Sequence, residues 1–124
     1  MHRISTGSPF ETAMGYSRAV VKGNWCFVSG VTGYDYVTMT MPDSALEQAE
    51  NCFATIFAVL SEAGFSPDDI VRVQYTVSDV VFVDQIAPAL STAMGDIRPA
   101  ATMVVAGLIR PEMKVEIEVT ALRE

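Results

Sequence analysis

Near the carboxyl terminus the run Lys114-Val115-Glu116-Ile117-Glu118 alternates two acids with apolar residues. Residues two apart on a strand share a face, so Glu116 and Glu118 stand side by side. Such a pair permits general acid–base work; it is also the ordinary pattern of repeated acids on a solvent-facing strand. The other reactive side chains are few. Cys26 and Cys52 lie in the apolar contexts WCFV and NCFATIF, where a reduced thiol packs as a small hydrophobe and neither a disulfide nor a metal cage is expected. His2 is the only histidine, and the terminus that carries it is expected to be mobile. One imidazole cannot assemble the usual zinc sites or the Ser–His and Cys–His nucleophile pairs, so no metal site is expected.

Any element that positions these groups must come from one compact unit. The 124 residues match a single domain over 1–124, with no room for a separate cofactor module. Half of the residues are hydrophobic and 19% are charged, far from the composition of a disordered chain. The net charge of −7 repels polyanions, which argues against nucleic acid and anionic membrane surfaces as partners. No apolar run reaches the roughly 18 to 20 residues that span a bilayer, and the first residues lack the apolar block of a secretory signal. A soluble cytoplasmic protein is the expectation.

Hydrophobic period and punctuation then place the elements. Residues 18–22 and 25–29 read as strands joined at Gly23-Asn24, a pair suited to a tight hairpin. The polar stretch from Gly30 to Met41 reads as a loop or ragged edge strand, and Asp43 as the N-cap of a helix. From Ser44 to Ala63, Leu46, Ala49, Phe53, Ile56, Phe57, Leu60 and Ala63 recur at helical spacing, which predicts a long amphipathic helix ending at Gly64. Residues 71–77 alternate as a strand buried on one side. Residues 80–94 read as a second helix, kinked or split at Ala87 by Pro88. Two further strands cover 100–108 and 113–122. The order β-β-α-β-α-β-β describes an α+β sandwich, a mostly antiparallel sheet with two helices on one face. Val115, Ile117 and Val119 face the helices, leaving Glu116, Glu118 and Thr120 on the other side. The preceding strand is apolar on both faces, Ala101, Met103 and Val105 against Thr102, Val104 and Ala106. Part of the open face is therefore expected to meet another copy of the chain.

Spacing of short motifs points further. Gly15-Tyr16-Ser17-Arg18-Ala19-Val20, then Gly23-Asn24 and Phe27-Val28-Ser29-Gly30, resemble the opening signature of the RidA/YjgF family. The resemblance continues through Gln48-Ala49, Ala63-Gly64, Asp69-Ile70-Val71, Val77-Ser78-Asp79, Pro99-Ala100 and Lys114-Val115-Glu116-Ile117-Glu118. It implies a chorismate-mutase-like fold, a homotrimer built round the open sheet faces, and clefts between subunits. It also implies hydrolysis of reactive 2-imino or 2-enamino acids to the 2-oxo acid and ammonia, with no cofactor.

Family roles carry over position by position. The resemblance makes Glu116 the carboxylate that orients or deprotonates water, and Met103 the residue whose backbone carbonyl holds that water. It makes Tyr16 a pocket aromatic, able to stack on a planar imine, where the alternative is an ordinary interface tyrosine. Ser29 and Gly30 match the turn into the cleft. Two departures stand out. The family arginine after Pro-Ala, which holds a substrate carboxylate by paired hydrogen bonds, is Ala101 here, with Thr102 next to it among the substrate-binding positions. The family Ser-Gly-Gln reads Ser29-Gly30-Val31 and runs into Tyr34 and Asp35, which offer an aromatic wall and an acceptor for an amine, or else a plain turn. Losing the bidentate contact costs about 2 to 4 kcal/mol of carboxylate binding. Arg18 and Arg98 are the candidates to compensate, with Arg98 read as a strand residue facing the other way. The alternative to an enzyme is a non-catalytic trimer that binds or senses a small metabolite. A ribonuclease activity, attached to some family names, conflicts with the acidic charge and the lone histidine.

Overall fold

In the computed structural model, which describes residues 1–124, the elements are β1 (His2–Ile4), α1 (Pro9–Met14), β2 (Ala19–Lys22), β3 (Trp25–Thr32), α2 (Ala45–Ala63), β4 (Ile70–Val77), α3 (Phe82–Met94), β5 (Ala100–Val105) and β6 (Val115–Leu122), with a 3-10 turn at Pro67–Asp69. One sheet holds all six strands in the order β1-β2-β3-β6-β4-β5. Only the β4–β5 pairing is parallel; the others are antiparallel. The parallel pair needs a crossover, which α3 supplies. The fold is α+β, with both long helices on one face of the sheet.

Burial follows the alternation of the strands. Val115, Ile117, Val119 and Ala121 of β6 join Cys26, Val28 and Val31 of β3 and Val73, Tyr75 and Val77 of β4 in the core. Helix α2 closes it with Ala49, Cys52, Phe53, Ile56 and Leu60. Each long aliphatic side chain so buried contributes about 1.5 to 3 kcal/mol. The opposite sheet face carries no layer of its own: Trp25 and Phe27 stack there with ring centroids 5.9 Å apart, and all six residues of β5 are exposed.

Several expectations are corrected. The amino terminus is ordered into the sheet, His2, Arg3 and Ile4 pairing with Val21, Val20 and Ala19. A helical turn over Pro9–Met14 follows, capped by the Ser8 hydroxyl and started by Pro9, whose fixed φ suits a first helical position. The N-cap of α2 is Ser44, whose hydroxyl accepts from Glu47 N–H; Asp43 lies one residue outside. Pro88 does not split α3, which runs unbroken past it. Strand β3 continues beyond Ser29 to Thr32 through a register shift between Val28 and Val31. Strand β5 stops at Val105, and β6 begins at Val115. Arg98 is no strand residue: it precedes β5 at a left-handed φ of 51°.

Candidate functional site

The register shift in β3 builds the site. A β-bulge leaves one residue unpaired and bends the strand, and such features occur where a side chain must be re-aimed. Thr32 pairs with Glu116 on one side of the bulge, while Val28 pairs with Val119 on the other. Gly30 lies between them, in the space the Glu116 carboxylate occupies. A Cβ at Gly30 would fall 2.6 Å from Glu116 Cδ and 2.8 Å from its Oε1. Any larger residue at this position would have to push the carboxylate aside.

Beneath the bulge lies a buried guanidinium. Arg18 is 0% exposed, and its Nη1 donates to Gly30 O at 2.7 Å, Ser29 Oγ at 3.1 Å and Ser29 O at 3.4 Å. The Ser29 hydroxyl and N–H in turn donate to Arg18 O, at 3.0 and 2.9 Å. Aromatic rings flank the cation: its Cζ is 4.9 Å from the Tyr36 centroid and 5.8 Å from that of Tyr16, within the range of a cation–π attraction. Its Nε and Nη2 are buried without hydrogen-bond partners. The Tyr36 hydroxyl lies 3.0 Å from Thr32 N, accepting its hydrogen, so the same ring ties the cation to the strand position that pairs with Glu116.

The charges set the protonation of the site. Burial lifts Glu116 above the ordinary carboxylate range, and the neighbouring Glu118 lifts it further; Arg18 opposes both. Burial likewise raises the Tyr16 hydroxyl, against the pull of Arg18. The Cys52 thiol, fully buried under β3, donates to Val31 O at 3.2 Å and is driven up by burial and by the Glu116 charge. Glu116 is half-buried. No group of three or more His, Cys, Asp or Glu is placed to hold a metal ion.

Tyr16, Ser29, Gly30 and Glu116 are thus gathered around Arg18. The other positions lie elsewhere in the chain. Ala101, Thr102 and Met103 are on β5, separated from β6 by β4, about 10 Å across two strand spacings. Thr102 registers with Gln74, and Gln74 with Glu118, which puts Thr102 on the Glu116 face. Ala101 and Met103 register with Val73 and Tyr75 and turn to the helix side. The Val31 side chain is a correction: it is in the core with no exposure, because the bulge returns β3 to its inward alternation there. Tyr34 is also drawn away. Its hydroxyl donates to Glu112 Oε1 at 2.9 Å, and burial with that bond pushes it up to about 12. Asp35 accepts from the N–H groups of Val37 and Thr38, the ordinary work of a turn aspartate.

Two residues carry more of the site than their sequence context suggests. Arg18 sits one residue before β2 at a position that shares parity with the exposed Lys22, so alternation reads it as outward-facing. No sequence signal marks Tyr36. A hollow of about 480 Å³ lies beside the cluster and is lined by Tyr34, Tyr36, Asp35, Asn51 and Glu62 among others. It shares only Tyr36 with the site, and Glu116 is not on its wall.

The profile of the Endoribonuclease L-PSP family matches residues 6–123. A RutC family protein from Leuconostoc mesenteroides is 30% identical, over 97% of this chain and 96% of its own. Among solved structures, a YjgF-family member from Mycobacterium tuberculosis superposes with a TM-score of 0.88 at 35% identity, covering 98% of both chains. RidA from an Antarctic Psychrobacter superposes with a TM-score of 0.82 at 29% identity, covering 87% of this chain and 88% of its own.

Proposed function

The chain belongs to the Endoribonuclease L-PSP family, the RidA/YjgF group, and from that membership we propose that it is a cofactor-free imine or enamine hydrolase acting in clefts of a cytoplasmic homotrimer. The observation that carries the reading is the Glu116 carboxylate, seated on Gly30 beside a buried arginine. In the reaction a water oxygen bonds to the C=N carbon, the π pair moves to nitrogen, and Glu116 takes the water proton. Return of that proton to nitrogen gives a neutral carbinolamine; Glu116 then takes its hydroxyl proton and passes it to the amine, so that the C=O bond forms as the C–N bond breaks and ammonia leaves. Tyr16 holds the substrate plane. The Met103 carbonyl accepts from the attacking water; since Met103 is two strands away in one chain, this is Met103 of a neighbouring copy.

Ala101 then leaves a neutral corner where the family resemblance implies a guanidinium. Neither candidate replacement fills it: Nη1 of Arg18 is committed to Ser29 and Gly30, and Arg98 is an exposed residue of the turn before β5. The preferred substrate is an imine or enamine recognised without that arginine. The same corner favours a second reading, a trimer that binds a small metabolite without turning it over.

The test is the decay rate of an enzymatically generated 2-imino acid with the natural protein, Ala101→Arg and Glu116→Gln. Acceleration by the natural protein that Glu116→Gln abolishes supports the hydrolase. Acceleration by Ala101→Arg alone shows a working catalytic frame tuned to another imine. Silence from both, with binding of a metabolite intact in Glu116→Gln, favours the binding protein.

A further inference from the structure

We propose that Arg18 is the positioning residue of the Glu116 carboxylate, fastening the Ser29–Gly30 bulge as the floor on which that carboxylate rests. The inference builds on the reading of Glu116 as the proton acceptor, but its evidence is separate. A buried guanidinium is costly unless its surroundings compensate, and here one nitrogen takes three oxygens of two successive residues. Those residues are the bulge itself. Gly30 O, pulled to 2.7 Å from Nη1, fixes the orientation of the Gly30 peptide and hence the gap into which Glu116 fits. The two nitrogens without hydrogen-bond partners lie in a cation flanked by Tyr16 and Tyr36, so the rings supply the compensation that carbonyls do not.

The arrangement also sets a field. The charged groups that act on Glu116 are Arg18, from the segment before β2, and Glu118 on its own strand. From α2 it faces only the Cys52 thiol, which is held protonated; its register partners on β3 and β4 are the uncharged Thr32 and Thr76. Arg18 is shared with Glu11 of α1. The one cation near the cluster therefore both shapes the floor and favours the ionised acid above it.

The experiment follows the side-chain carboxyl carbon of Glu116 by NMR across pH in protein labelled at glutamate, the resonance being assigned with Glu116→Gln. Arg18→Gln is expected to move the Glu116 midpoint upward, corresponding to about a tenfold rise in proton affinity, the scale of losing one nearby opposite charge. Arg18→Lys, which keeps charge but not the spread of contacts, is expected to move it less while broadening the resonance. Should Arg18→Gln not fold, Ser29→Ala removes one anchor of Nη1 without changing charge and is expected to shift the midpoint in the same direction by a smaller factor. An unmoved midpoint in whichever of Arg18→Gln and Ser29→Ala folds overturns the proposal. The titration needs no turnover, so a protein with no hydrolase activity but a shifted midpoint loses the functional reading and keeps this one.

Discussion

Glu116 and Gly30 make one unit, and either can be tested through the other. Gly30→Ala puts a methyl 2.6 Å from Glu116 Cδ, and the carboxylate must move. The expected cost is about 1 to 3 kcal/mol of stability, read by urea denaturation, together with loss of any imine turnover. Glu116→Gln acts in the opposite direction on stability. Its carboxyl is raised in the folded chain, so between the unfolded value, about 4.3, and the folded value the native state holds more proton than the unfolded state. Stability from this group therefore falls as pH rises through that window. The amide carries no such charge. Thermal melts are expected to show Glu116→Gln matching the natural protein in acid and exceeding it at neutral pH; an equal or lower melting temperature at neutral pH contradicts the assignment of burial as the dominant cause.

At the scale of elements, one buried amide ties α2 to the chain before it and to the segment entering β6. Gln48 is wholly buried; its Nε2 donates to Pro42 O at 2.8 Å and Glu112 O at 3.0 Å, and its Oε1 accepts from Lys114 N at 2.9 Å. It also packs against Gly33, where a Cβ would meet the Gln48 backbone at 2.6 Å. Gln48→Leu keeps the apolar bulk but strands one donor and two carbonyls. The expected loss is about 2 to 4 kcal/mol, measured by chemical denaturation, and larger than that of a surface cap such as Ser44→Ala, about 1 kcal/mol. Helical periodicity from Ser44 to Ala63, with Gly64 as the stop, made legible the helix that runs over Ala45–Ala63. The turn at Pro9–Met14 was missed because a six-residue helix has too little hydrophobic repeat to read, leaving Ser8-Pro9 as its only signal.

For the whole molecule, the open sheet face is the surface that a homotrimer is expected to cover. Trp25, Phe27 and Val104 are exposed on that face of a single chain, and β5 ends the sheet with an unpaired edge. Edges and apolar faces of this kind are normally covered. Sedimentation is expected to give three times the chain mass of 13.4 kDa, and Val104→Asp, which places a charge on that face, is expected to give monomers and no turnover. A natural protein that sediments as a monomer removes the intersubunit cleft, and with it the pairing of Glu116 with a neighbouring Met103. No helix is long and apolar enough to cross a membrane.

Local pattern was enough to determine the two long helices, the alternating strands, the inward row Val115-Ile117-Val119 and the outward acids, because each depends only on residues within a few positions of one another. Ordered motifs along the chain were likewise enough to point to the family. What only tertiary structure decided depends on contacts between distant strands. A one-residue shift against β6 turns Val31 into the core, opens Gly30 to Glu116 and brings Arg18 under the bulge, and no periodicity in β3 announces it. Tyr34 and Asp35 were legible as residue types but not as partners: Glu112 lies far along the chain, and the hydrogen bond to it, not the aromatic ring's own chemistry, determines where Tyr34 points.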